Sequence, residues 1–117
     1  MPTRVEFADR FDCAIRKLKK KYPSVDAEVE TLVTQLENDE RPGDKIPNVG
    51  YDVYKVRLRN PSASTGKSGG FRVIYYLRLE DHVILLTIYS KSDQSDLNPE
   101  AIKEILESID HADEDED

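Results

Sequence analysis

Tryptophan is absent, methionine occurs once, and Cys13 is the single cysteine. One cysteine cannot form an internal disulfide, so the core must hold the fold, and a reducing, cytoplasmic setting is expected. No run of 18 apolar residues exists, and the first residues lack the apolar stretch of a signal peptide. A soluble chain with no membrane partner is therefore expected. The two histidines, His82 and His111, stand at ligand spacing neither from each other nor from Cys13. No metal and no cofactor are expected. His82 reads as a polar turn residue, and Cys13 as a small side chain packed near the apolar face of a helix. At 117 residues the chain suits one domain with its own core.

Charge is abundant. Charged residues make up 35% of the chain and the formal net charge is −7. The total conceals a segregation. Six acids fall within residues 110–117, whereas residues 41–91 carry nine cations against four acids. The acidic end reads as a disordered tail following a domain of residues 1–109.

Periodicity assigns the elements. Val5 and Phe7 suit a short edge strand over residues 3–7. Phe7, Phe11, Ala14, Ile15, Leu18 and Tyr22 recur at helical spacing, and Pro23 stops that helix. Ser24 can cap a second helix, striped by Val25, Val29, Leu32, Val33 and Leu36 and ending near Asn38. The short link predicts a helical hairpin. Two prolines and two glycines make residues 38–52 a loop.

Residues 53–59 then alternate. Tyr54, Val56 and Leu58 face one way; Lys55, Arg57 and Arg59 face the other. Residues 60–70 are a glycine- and serine-rich connection. In the next strand Arg72, Tyr76 and Arg78 fall opposite Phe71, Val73, Tyr75 and Leu77. If the two strands pair antiparallel with their apolar sets on a common face, five cations share the other face. Residues 83–90 are apolar on both faces, as a central strand requires. Asn98-Pro99-Glu100 starts a last helix, buried through Ile102, Ile105, Leu106 and Ile109. The expected architecture is an α+β domain, an antiparallel sheet with an N-terminal helical hairpin and a C-terminal helix, in the order β-α-α-β-β-β-α.

A cationic strand face suits a polyanion. Tyr76 lies on that face and could stack on a base, whereas Tyr75 falls on the core side. Thr65-Gly66-Lys67-Ser68 is no nucleotide-binding P-loop, because Pro61 stands where that motif needs glycine and a strand follows it. Lys67 could still hold a backbone phosphate.

Four segments carry a family resemblance: Gly43-Asp44-Lys45-Ile46-Pro47, Tyr54-Lys55-Val56-Arg57-Leu58, residues 66–76 (GKSGGFRVIYY) and Leu85-Leu86-Thr87-Ile88-Tyr89-Ser90-Lys91. Over residues 5–109 the chain resembles the RelE/ParE superfamily of bacterial toxins, and most of all its HigB-like branch. The resemblance implies the toxin of a type II toxin-antitoxin system. Its activity would be that of an endoribonuclease, cleaving mRNA on the translating ribosome without metal. It would be neutralised by a cognate antitoxin, typically a helix-turn-helix protein. Lys55 and Arg57 would serve proton transfer and charge stabilisation, and Arg72 would grip the scissile phosphate. Lys91 is a further catalytic candidate; Arg59, Lys67, Tyr76 and Arg78 would contact RNA. Where RelE carries an arginine and then a tyrosine after the last core strand, this chain has Ser92 and Asn98. A non-catalytic binding protein on the same fold, a gyrase poison or a silent homologue, is the alternative.

Overall fold

The computed structural model describes residues 3–59, 70–91 and 97–115, with side chains of the last helix described as far as Ile109. The elements run β1 (Arg4–Phe7), α1 (Asp9–Lys21), α2 (Val25–Glu37), β2 (Asp44–Lys45), β3 (Val53–Leu58), β4 (Phe71–Leu79), β5 (His82–Ser90) and α3 (Pro99–Asp115). The class is the expected one. Two details differ. The loop expected over residues 38–52 contains β2, a two-residue strand paired antiparallel with β3. The sheet, in the order β1-β5-β4-β3-β2, carries one parallel pairing, between β1 and β5 at its edge. The helical hairpin after β1 returns the chain to the far strands, which leaves β1 aligned with β5.

Three layers result. One sheet face, through Val56, Phe71, Val73, Tyr75, Val83, Leu85 and Ile88, packs on Phe11 and Leu18 of α1 and Val25, Val29, Leu32 and Leu36 of α2. The other, through Val53, Ile74, Ile84, Leu86 and Tyr89, packs on Ile102, Ile105 and Leu106 of α3. The face expected to be cationic is therefore half core, and its charges are confined to the part α3 leaves uncovered.

The helix ends follow local chemistry. Lys19, Lys20 and Lys21 lie in the last turn of α1, where the helix dipole favours cations. Asn98 caps α3: its Oδ1 accepts from the Ala101 N–H at 2.9 Å. Ser24 occupies the cap position of α2 but forms no capping side-chain bond, because its own backbone is already helical. α3 continues to Asp115, beyond the boundary expected at residue 109, so residues 110–115 are helical in backbone. Once the buried turns have nucleated a helix, each added residue needs only one more hydrogen bond.

Two side chains correct the sequence reading. His82 is the first residue of β5 and is buried, with Nε2 3.2 Å from Glu6 Oε1. The turn takes only Glu80 and Asp81. Cys13 is exposed, on a part of α1 turned away from the Phe11–Leu18 stripe.

Tyr75 is fully buried, its ring stacked on Tyr54 at 5.2 Å, and its hydroxyl donates to Pro42 O at 2.6 Å. Burial, reinforced by Tyr54, raises its pKa above the ordinary phenol value. Unfolded tyrosine ionises near pH 10, while native Tyr75 keeps its proton. Its contribution to stability is therefore complete below about pH 10 and is lost as pH rises beyond that, toward the folded pKa. In Tyr75→Phe this component of the alkaline loss is absent, at the cost of about 1 kcal/mol at neutral pH. Urea unfolding of the two proteins from pH 8 to 11 checks this; parallel stability profiles would refute it.

Candidate nucleic-acid interface

β3 and β4 pair antiparallel with Val53 opposite Tyr76, Lys55 opposite Ile74 and Arg57 opposite Arg72. On its other side Arg72 faces Tyr89 of β5. Arg57, Arg72 and Tyr89 thus form a row across three strands, with Lys55 two residues along β3 on the same face. The alternation seen in the sequence fixes this face, because the apolar partners Tyr54, Val56 and Leu58 must turn toward α1 and α2.

The members of the row differ in exposure. Arg57 is exposed and Lys55 half-buried. Arg72 is only 6% exposed. Its Nη1 donates to Phe71 O at 3.3 Å, and no carboxylate pairs with it among the described residues. Arg59 is exposed directly beyond β3. Lys91 is exposed beyond β5, and its backbone N–H donates to Gly70 O at 3.1 Å. Lys91 is thereby held beside the start of β4, at the Arg72 end of the sheet. The structure brings together Lys55, Arg57, Arg59, Arg72 and Lys91.

Tyr76 and Arg78 lie elsewhere. Four strand positions separate Arg72 from Tyr76, about 13 Å along β4. Arg78 sits at a shift in the ladder's register, between the Leu77–Val83 and Leu79–His82 pairs. Both line a second cleft with Lys45, Asn48, Tyr51 and Asp52. Lys67 and Ser92, and with them the phosphate-loop reading of residues 65–68, lie outside the described residues. Asn98, at the position where the resemblance puts a tyrosine, is the α3 cap.

Tyr51 was not among the candidates. Its signal in the sequence was an aromatic ring inside a glycine- and proline-punctuated loop, where no packing stripe claims it. Among the described residues no three histidine, cysteine or carboxylate side chains gather closely enough to hold a metal ion. No helix among them is long and apolar enough to cross a membrane.

The element order and the mixed five-stranded sheet define an α+β domain of the RelE fold. The chain is similar to a solved structure of E. coli toxin RelE, a double arginine-to-alanine mutant in the free state, with a TM-score of 0.52 and 19% sequence identity over 75% of this chain and 82% of that chain. A family model described as the RelE toxin of the RelE/RelB toxin-antitoxin system matches residues 13–115, and the chain belongs to this RelE toxin family. Membership implies an antitoxin partner.

Proposed function

We propose that this chain is a type II toxin of the HigB-like branch, an endoribonuclease that cuts mRNA on the translating ribosome without metal. The observation that carries this reading is the placement of Arg57 directly opposite Arg72. Like charges in such a cross-strand pair destabilise a sheet. A nearly buried guanidinium with no carboxylate beside it among the described residues adds to the cost. Both costs are offset when a phosphate group enters between the two arginines.

The chemistry asks for three services. The ribose 2′ oxygen attacks the adjacent phosphorus while its proton leaves to a base. The phosphorus then carries extra negative charge on its non-bridging oxygens. Finally the bond to the 5′ oxygen breaks as that oxygen takes a proton. In this reading Arg72 grips the phosphate and Arg57 stabilises the added charge. Lys55, two residues from Arg57 on the same face, takes part in proton transfer. Lys91 is a further cation at the leaving-group end, and Arg59 and Lys67 hold the flanking backbone. The antitoxin, of the helix-turn-helix type, silences the protein by covering this row.

One observation favours a second reading. Asn98 caps α3, so the tyrosine that the resemblance puts at that position to help catalysis is missing. A protein that poisons its target by contact, as gyrase-directed members of the superfamily do, needs no such catalytic side chain. Brief induction followed by primer extension on a message separates the two. Discrete cuts with in-frame spacing support the nuclease. Intact message accompanied by DNA damage transfers the assignment to the gyrase reading.

A further inference from the structure

At the end of the sheet away from Arg57 and Arg72, a cleft of about 450 Å3 opens between the 46–52 loop and the end of β4. Its volume falls in the range of small-ligand sites. Tyr51 projects over it and is 40% exposed. The Tyr51 ring stands nearly perpendicular to that of Tyr76, with centroids 5.8 Å apart and an interplanar angle of 85°. The pair makes an aromatic corner: a flat ring stacked on Tyr51 turns its edge toward Tyr76.

The loop that carries Tyr51 is stiff. Val49 is buried against α3, which pins the loop from below. Asn48 and Gly50, on either side, hold positive φ of 67° and 84°. Lys45 and Asp52 close the base of the loop with a 2.8 Å ion pair. Left-handed backbone at a residue with a side chain, here Asn48, persists only where the surroundings over-determine it, and it gathers at ligand sites. The result is an aromatic face held in place before any ligand arrives. The other lining groups are those that read base edges: the Asn48 amide, the Asp52 carboxylate and the Arg78 guanidinium. Lys55 lies on the same sheet face, between this cleft and the Arg57–Arg72 pair.

We propose that the Tyr51–Tyr76 cleft is a nucleobase subsite. It would bind an unpaired base of the RNA near the cut phosphate, with Tyr51 as the stacking platform, and so influence where the strand is cut. The proposal rests on the ribonuclease reading above and adds to it a specificity determinant about 13 Å along β4 from Arg72.

The experiment measures binding of a short fluorescein-labelled single-stranded RNA by anisotropy at several salt concentrations. It also maps cut sites by primer extension. Both are done for the wild type, Tyr51→Ala and Tyr51→Phe. Loss of one stacked base weakens binding roughly 5- to 150-fold. Because no phosphate contact is removed, the salt dependence stays unchanged in Tyr51→Ala. In Arg59→Ala, by contrast, loss of a phosphate contact would lower that slope by about one unit. Tyr51→Ala spreads or shifts the cut sites, and Tyr51→Phe, which keeps the ring, restores most of the affinity. Wild-type affinity and unchanged cut sites in Tyr51→Ala overturn the subsite and leave the nuclease reading standing. Wild-type binding that Tyr51→Ala abolishes, with no cutting by either protein, retains the subsite and removes the nuclease. If Tyr51→Ala loses only its hold on the antitoxin, the cleft is a protein contact and the proposal falls.

Discussion

On the proposed ribonuclease reading, replacing Arg57 with alanine is expected to lower RNA cleavage by about 10²- to 10³-fold, the usual loss of one charge-stabilising donor, and at the same time to make the protein more stable. The two effects have one origin. Arg57 faces Arg72 across the β3–β4 ladder. Removing one of two like charges from a cross-strand pair relieves about 0.2–1 kcal/mol, a rise of roughly 1–4 °C in Tm for a domain of this size. Lys55→Ala gives a cleavage loss of about 10²- to 10⁴-fold if Lys55 moves a proton. Its stability gain should be smaller, since Lys55 faces Ile74. Arg72 is a poorer probe, because truncating a nearly buried side chain also opens a cavity. Growth arrest that survives intact in a well-expressed Lys55→Ala/Arg57→Ala double variant would sink the catalytic assignment. Arrest that disappears together with the melting transition would show only that the fold was lost.

Gly43→Ala is the most damaging single methyl group the structure exposes to test. Gly43 holds φ +92°, and a Cβ there would collide with Lys55 O and stand 3.0 Å from Val56 Cα. Backbone cannot yield as the end of a flexible side chain can. The clash must push residues 43–45 off β3, where Asp44 pairs with Lys55. The expected cost is about 3 kcal/mol or more, from a strained backbone and a lost ladder together. Activity should fall with it, because Lys55 loses the strand partner that helps hold its place. Gly50→Ala supplies the control. Its φ is +84°, but nothing lies within 4 Å of the added carbon, so only the backbone term of about 1–3 kcal/mol remains. Urea unfolding with unchanged m-values measures both. Equal losses would show that the close approach to Lys55 is not what the glycine serves.

Much of this was legible in the chain. The spacing of Phe11 and Leu18, broken by Pro23, placed α1 and α2 to within a residue or so at either end. Alternation through residues 53–59 put Lys55 and Arg57 on one face. Assuming a common apolar face brought Arg72 to join them, as the register does. What alternation cannot give is depth. A residue's face is local information, but its burial depends on what the rest of the chain lays over it. Arg72 is nearly buried because β4 is an inner strand, flanked by β3 on one side and β5 on the other. His82 became a strand residue because β1 pairs with its end of β5. Arg78 lies far from Arg72 because face and proximity are different properties. Tyr51 escaped because loop residues carry no periodicity to read.

The parallel pairing of β1 with β5 also has a consequence for the order in which the protein is made. Arg4 and His82, partners in that ladder, are 78 residues apart. At usual elongation rates about 4–16 s separate their synthesis. During that interval the first strand has no neighbour to bond with, and the arginine row lacks the Tyr89 strand that completes it. A growing chain therefore cannot present its cations on a closed sheet while the ribosome making it is still reading the codons for β5. On the reading proposed above, in which the target is the translating ribosome, the chain becomes a hazard to ribosomes only as its own synthesis nears completion.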